Sequence, residues 1–500
     1  MTTTRKFAAG IAALAAASVA LSGCGTGGGE SGDPDAISWM AALHTPTTPE
    51  PGGAIESGLE ELAGVDLEFQ WIPDASRDEK LSAALASNTL ADIVTLPGGG
   101  ITTVMRALTS GQFWDIEEYL DEFPNLSQID PQIVEAAKID GHLYGVPAQK
   151  PKARYGVLVR QDWLDNLGLE VPHTIEELSD VARAFADEDP DGNGKDDTTG
   201  FYDRSESFDV GFRSLSGYFG AGSLFELTDD DEVVSSYGTD AFKEAMEWYR
   251  GLYEDGAING DFVTVQKQNQ QDGVAQGKGG IVVTGLFEAK NYAALAKSSD
   301  PDTPMAWALI NDITYDDVPR RILSDTNGGM GGWYAIPKSQ AKTEDELREV
   351  LGVLDSLLTE EAFSLMTNGV EGTHFEFDDQ GSVTILDQTL WEQQVQPFSS
   401  SRMSETIITY PSTLDYVDEG NEKMAENDDY TVINVAQSLT SETFDSRWTE
   451  VQQHVRDAYN KYIVGQLEMA DYEAVIDDLL AGDLGKIQDE YTAAYADVNG

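Results

Sequence analysis

Ile37-Ser-Trp-Met-Ala-Ala-Leu43, Val65-Asp-Leu-Glu-Phe-Gln-Trp-Ile72 and Asp92-Ile-Val-Thr-Leu96 are three short apolar stretches separated by two helix-length segments, Ala54 to Ala63 and Glu79 to Ser87. The middle stretch alternates: Val65, Leu67, Phe69 and Trp71 share one face, and Asp66, Glu68 and Gln70 the other. A period of two marks a strand buried on one side. Strands alternating with helices predict a parallel-type sheet flanked by helices, an α/β fold. In such sheets ligands sit beyond the carboxyl ends of the strands. That draws attention to the loops His44-Thr-Pro46 and Pro97-Gly-Gly-Gly100.

A second α/β series follows. Tyr155 to Arg160 reads as a strand. Thr174-Ile-Glu-Glu177 has capping-box spacing and opens a helix whose apolar face is Ile175, Leu178, Val181, Ala182 and Phe185. A helix around Phe242 to Tyr253, a strand at Ile281 to Thr284 and a helix from Phe287 come next. Thr343-Glu-Asp-Glu346 is a second capping box, before a helix with Leu347, Val350, Leu351, Leu354 and Leu358 inside and a stop at Asn368-Gly369. The last hundred residues read as mostly helical, with amphipathic stretches at Phe444 to Tyr462 and Tyr472 to Leu480. A chain of 500 residues implies two or more lobes.

Upstream of Ile37, the basic pair Arg5 and Lys6 precedes an Ala-rich apolar run, Phe7 to Leu21, too short for a comfortable membrane span. The run ends in Leu21-Ser-Gly-Cys24, which resembles a bacterial lipobox. Residues 1–23 are therefore expected to be a signal peptide, with Cys24 carrying a diacylglyceryl group that anchors the chain outside the cytoplasmic membrane. Residues 24–36, rich in Gly and polar side chains, read as a tether. Cys24 is the single cysteine, so a lipidated chain has no disulfide and relies on its core.

The net charge is −58, with 31 Lys and Arg against 89 Asp and Glu; removing residues 1–23, with Arg5 and Lys6, makes it 29 − 89 = −60. Such acidity argues against nucleic acid as a partner and favours solubility near a surface. No later segment is long and apolar enough to span a bilayer.

The most chemically explicit segment is Asp189-Pro-Asp-Gly-Asn-Gly-Lys-Asp-Asp-Thr-Thr-Gly200. Acceptors fall at loop positions 1, 3, 5 and 9 (Asp189, Asp191, Asn193, Asp197), with the Lys195 carbonyl at position 7 and Gly194 at the turn. Alternate residues of a tight loop aim oxygens at one centre, as Ca²⁺ requires. Position 12 departs from the pattern, because Gly200 replaces the usual bidentate Glu. Two readings stand: a structural Ca²⁺ site over residues 189–198, closed by Asp197 with Thr198 nearby, or an acidic solvated turn. The first is favoured because crowded carboxylates repel one another without a cation.

Several motifs, in one order along most of the chain, resemble the bacterial extracellular solute-binding proteins of family 1. They are Ala86-Ser-Asn-Thr-Leu-Ala-Asp-Ile93, Asp140-Gly-His-Leu-Tyr-Gly-Val-Pro147, Val159-Arg-Gln-Asp-Trp-Leu-Asp-Asn-Leu-Gly168, Pro172-His-Thr174, the Asp189 loop and Gly369-Val-Glu-Gly-Thr-His-Phe375. The chain is similar to the long branch that contains alginate-binding and lipo-oligosaccharide-transport-type proteins. The resemblance implies a two-lobed periplasmic-binding-protein-like fold of type II with a helical C-terminus. Lobe one would be residues 37–148 plus 318–375, and lobe two 149–317 plus 376–500. It implies a monomer that holds a carbohydrate between its lobes and delivers it to the permease subunits of an ABC importer. It also implies a structural calcium on Asp189, Asp191, Asn193, the Lys195 carbonyl and Asp197; family members often carry an acid where this chain has Thr198.

Sugars offer apolar C–H faces and fixed hydroxyls, so their sites combine aromatic platforms with charged or amide groups. The expected ligand contacts are Phe287 after its strand, Trp333 after the run Gly328-Gly-Met-Gly-Gly332, Arg154 and Tyr155 beside the crossover, His374 and His44. Trp163, Trp248 and Trp448 lie on apolar helix faces and read as core. Arg154 and Lys150 would suit an acidic sugar. An enzyme is not expected: no Gly-x-Ser-x-Gly elbow, His-Glu-x-x-His site or phosphate loop appears. A secreted carbohydrate-active enzyme remains the rival class, and a sensor or adhesin that binds another solute would share the fold.

Overall fold

The computed structural model describes residues 36–44, 47–73, 76–87, 89–98 and 102–499; Cys24, the apolar run and most of the tether lie outside them. Strand formation at the start follows the predicted alternation. In Leu67–Pro73, Leu67 is buried and Glu68 and Gln70 are exposed. The strand begins at Leu67 rather than Val65.

The first sheet has five strands in the order Leu67–Pro73, Ile37–Leu43, Ile93–Pro97, Met330–Ala335 and Val146–Gln149. Ile37–Leu43 is parallel to both its neighbours, as the alternating strands and helices predict. Met330–Ala335, arriving from far along the chain, runs antiparallel to both of its own. The sheet is mixed rather than purely parallel. A strand that returns from the other lobe enters from the opposite end, and so runs the other way. The second sheet, Trp307–Ile310, Tyr155–Arg160, Gly279–Gly285 and Thr199–Phe201, is mixed for the same reason and has one parallel pair.

Helices cover both sheets. Glu344–Ser356 carries the predicted capping box, with the Thr343 hydroxyl accepting from the Glu346 amide and the Glu346 carboxylate accepting from the Thr343 amide. The predicted helix then breaks, because Thr359 caps a new one, Glu360–Thr367. At Ile175–Asp187, Thr174 caps the Glu177 amide, while the Glu177 side chain turns to the amide of His173. Trp163 is fully buried, and Trp248 and Trp448 pack at the edge of the second core, as expected.

The chain crosses between the two cores at 150–154, again at 323–329, and a third time between Ile407 and Tyr416. This moves two expected boundaries. Val395, Phe398 and Met403 are buried in the first core, so the 376–407 stretch belongs there. Leu323 instead packs over Gly217 of the second lobe, and its strand Ile322–Leu323 pairs with Thr431–Val432. The physical reason is contact: an apolar segment joins whichever core it reaches, and sequence position does not show which.

At the crossing, buried hydroxyls take up the backbone. Ser324 Oγ donates to the Lys152 carbonyl at 2.6 Å and accepts from the Gly328 amide at 2.7 Å. Thr326 Oγ1 lies 2.7 and 2.9 Å from the Pro151 and Lys152 carbonyls. Asn427 braces the outgoing pass, donating to the carbonyls of Ala153 and Tyr155. Removing Ser324 Oγ would leave a buried amide and carbonyl with poorer partners, so Ser324→Ala is expected to cost about 1–3 kcal/mol, read as a lower urea midpoint with an unchanged slope.

Candidate functional site

Three strands, Ile37–Leu43, Ile93–Pro97 and Val146–Gln149, point their carboxyl ends the same way. A groove of about 310 Å³ opens there, lined among others by His44, Thr95, Pro97, Lys150, Tyr334 and Arg402. This is where open α/β sheets bind ligands, and the volume is at the small end of ligand pockets. His44 stands on this wall, as expected. Gly98 donates to the Gly331 carbonyl at 3.0 Å, while Gly99 and Gly100 lie outside the described residues.

Five residues further along the chain, the second lobe begins with Arg154 and Tyr155. Arg154 is clamped by Asp325: its backbone amide and Nε donate to the two carboxylate oxygens at 2.8 and 2.9 Å, and a terminal guanidinium nitrogen lies 2.8 Å away. Its guanidinium sits 5.5 Å from the ring centre of Phe287, a cation–π distance. Tyr155 pairs with Gly285, the last residue of the strand before Phe287. Burial, and next the charge of Asp325, raise the Tyr155 hydroxyl above its usual range, so it stays a neutral donor. The tertiary structure thus brings Arg154, Tyr155 and Phe287 together around the crossover, with Asp325 as an orienting residue not expected from sequence.

Two expected ligand contacts are corrected. Trp333 is 3% exposed and donates its indole N–H to the Ala137 carbonyl at 2.8 Å. The neighbouring Tyr334 is equally buried, since this strand is internal and both of its faces are covered. His374 is fully buried: Nδ1 accepts from the Val370 amide at 3.0 Å and Nε2 faces Gln394 Oε1 at 3.1 Å. One nitrogen fixes the turn after Gly369 and the other ties it to Gln394 on the helix Gln388–Gln394, so both are occupied.

Arg402 was not legible as a site residue. Its terminal nitrogen donates to Thr367 Oγ1 at 2.8 Å and its guanidinium lies 5.4 Å from the Phe363 ring centre. Burial lowers its pKa, countered by Glu405, yet a guanidinium keeps its proton in proteins. The second lobe adds Arg204, paired to Glu206 at 2.6 Å, and Lys267, 3.3 Å from Glu288. Arg154, Arg204 and Lys267 are each held by a carboxylate, which fixes the direction of their remaining donors.

The Asp189 loop lies between the helix Ile175–Asp187 and the strand Thr199–Phe201. Gly192 and Gly194 take left-handed conformations, with φ of 70° and 78°, that curl it back on itself. Asp189 accepts from the amides of Asn193 and Gly194, and the Asn193 amide group bridges Asp191 and Asp197 at 2.7 and 3.0 Å. As these side chains stand, no three acidic, His or Cys groups among the described residues cluster tightly enough to hold a metal. The acceptors are hard oxygens of the kind a calcium ion takes, with Asn193 Oδ1 turned to the Lys195 amide at 2.8 Å. The Asn193 NH₂ occupies the space between two carboxylates, and turning the amide over would present its oxygen there instead. Thr198 donates to the Phe185 carbonyl at 2.9 Å and is turned away from the loop centre. The glycine at position 12 also has a cause: a Cβ on Gly200 would lie 2.4 Å from the Ala182 carbonyl oxygen.

Comparison with known proteins agrees with this geometry. The model of the bacterial extracellular solute-binding protein family matches residues 41–362. The polygalacturonan/rhamnogalacturonan-binding protein YtcQ of Bacillus subtilis is 32% identical over 462 residues, 92% of this chain and 91% of that protein. The lipoprotein LipO of the same organism is 27% identical over 483 residues, 93% of this chain and 94% of that one. Among solved structures, a solute-binding protein from Bifidobacterium longum infantis, described as binding HMO and associated with an ABC transporter, superposes with a TM-score of 0.65 at 17% identity. That match covers 93% of this chain and 99% of the other. With two mixed α/β lobes meeting at a braced crossover, and a family match over most of its length, this chain belongs to the bacterial extracellular solute-binding proteins.

Proposed function

We propose that this protein is the capture component of an ABC importer, taking an oligosaccharide between its lobes and handing it to the permease subunits. The observation that carries the reading is that the crossover at 150–154 joins two candidate walls, the strand-end groove of lobe one that Lys150 lines and the group Arg154, Tyr155 and Phe287 at the start of lobe two. Phe287 offers a partly buried aromatic face to the C–H side of a sugar ring, and Arg154 and Tyr155 offer donors to its hydroxyls. Contacts to both lobes would favour the closed arrangement, so closure is a population shift driven by the ligand. The similarity to YtcQ supports a carbohydrate ligand. A binding rather than an enzymatic role is supported by the family match and by the similarity to the binding protein YtcQ.

The lipid anchor at Cys24, the signal peptide over residues 1–23 and a monomeric state complete the reading. Similarity to the lipoprotein LipO supports the anchor, and among the described residues no helix is long and apolar enough to cross a membrane. A structural Ca²⁺ on Asp189, Asp191, Asn193, the Lys195 carbonyl and Asp197 is supported by the acceptor spacing and the curl of the loop. Bound there, it would neutralise the carboxylates and tie the end of one helix to the start of the next strand.

Thermal unfolding of the purified chain against a panel of neutral and uronic oligosaccharides tests the central reading. A bound sugar should raise the midpoint by an amount equivalent to about 2.7 kcal/mol at a hundred times its Kd. Phe287→Ala should weaken that sugar at least about tenfold by calorimetry, and Trp333→Phe should cost stability while changing affinity less than about twofold. If no sugar moves the midpoint, the carbohydrate reading is wrong.

For calcium, EDTA is expected to lower the melting temperature, and Asp191→Asn should abolish that response. An unchanged midpoint would make the loop an acidic turn. For the anchor, Cys24→Ala should release the protein from the bacterial membrane fraction into the soluble one; retention in membranes would exclude lipidation as the tether.

A further inference from the structure

The groove at the strand ends of lobe one inverts the charge balance of the chain. Among the described residues that line it, Lys150 and Arg402 face one acid, Glu405, whereas the whole sequence has 31 basic and 89 acidic residues. In four other grooves formed by the described residues, acids equal or outnumber Lys and Arg. Such an enrichment is not what general solubility would produce.

Four cations near the crossover are tightly paired. Arg154 is matched by Asp325, Arg204 by Glu206, Lys152 by Asp130 and Lys267 by Glu288, all within 3.3 Å. Lys150 is different. Its side chain is 37% exposed, makes no hydrogen bond among the described residues, and has its nearest carboxylate, Glu405, at 4.0 Å. It lies across Gly331, where a Cβ would come within 2.8 Å of the lysine Cε, so the glycine leaves room for it over the groove. Arg402 is anchored by Thr367 and Phe363, but its Nε is buried with no partner. A buried, unpaired donor on a permanent cation is costly unless an anion arrives.

We infer that this groove reads the carboxylate of an acidic saccharide, a uronic acid unit, through Lys150 and Arg402, with Glu405 as the resident counter-charge that yields Lys150 to the ligand. The inference rests on the carbohydrate-capture reading and specifies its substrate class. The overall charge of −58 does not oppose it at close range, because exposed charges beyond about 8 Å are largely screened at physiological salt. A carboxylate seated between two cations is governed by the local field instead.

The test is calorimetric titration of the intact chain with α-1,4-linked trigalacturonate and with the same trisaccharide reduced at C6 to its neutral form. The acid is expected to bind at least about tenfold tighter, with an affinity that falls as NaCl rises. Lys150→Gln should remove about tenfold from the acid and less than about twofold from the neutral sugar. Glu405→Gln removes the competing acid, so it should tighten trigalacturonate a few-fold, a gain that a damaged fold cannot produce. Equal affinity for both sugars, or a Glu405→Gln variant that binds the acid more weakly, overturns the proposal while leaving carbohydrate capture standing. If neither these nor any sugar of the panel binds, the carbohydrate reading falls, and this inference with it.

Discussion

The hydroxyls of Ser324 and Thr326 hold the structure together at its narrowest place. Two lobes require the chain to pass between cores, and there the backbone leaves its sheets while still buried. Each carbonyl and amide that loses its ladder partner must find another, since an orphaned buried polar group costs about 1–3 kcal/mol. Ser324 and Thr326 supply those partners for Pro151 and Lys152 on the adjacent pass, and Asn427 does the same for Ala153 and Tyr155. Side-chain bonds of this kind fix the passes relative to one another without extending either sheet across the gap. That leaves the lobes joined by single strands of chain, the arrangement that hinge closure needs.

The crossover also sets the chemistry. Lys150 lies at its lobe-one end and Arg154 at its lobe-two end, so one short segment delivers a cation to each wall. They are treated differently. Arg154 is neutralised in place by Asp325 and stacked near Phe287, which turns it into an oriented donor. Lys150 keeps its charge available because Gly331 makes room and Glu405 stays at arm's length. Its distance from Glu405 is the longest of the ion pairs around the crossover. The close approach of Gly331 to the Lys150 side chain holds it over the groove.

The Asp189 loop shows a different economy. Its carboxylates are held by backbone amides and by the Asn193 side chain, so the curl is prepared without any ion. The twelfth position is surrendered to packing: strand Thr199–Phe201 lies so close to helix Ile175–Asp187 that only glycine fits at Gly200. Thr198 is likewise spent on the Phe185 carbonyl. A loop that has lost two acidic positions to its scaffold depends on the remaining four side chains and one carbonyl for any cation affinity.

Much was legible from residues alone. The alternation from Leu67 to Trp71, the strand Tyr155–Arg160 and the Thr343 capping box are local patterns, and local patterns survive folding because they are set by backbone geometry and nearby hydrogen bonds. Phe287, Arg154 and Tyr155 come together because they flank strand ends at a crossover. Trp333 could not be placed correctly, since on an internal strand both faces are buried and period two no longer separates inside from outside. His374 failed for a related reason: a polar ring in a glycine turn serves a ligand or the turn itself, and only its two hydrogen bonds decide. Arg402 comes to Lys150 from a segment that the order of elements would assign to the other lobe. The sequence by itself determined the fold class, the helix caps and the curled acidic loop, all short-range consequences of residue type. Which cations stay unpaired was decided only by the tertiary structure, because charge pairing depends on distances that chain order does not contain.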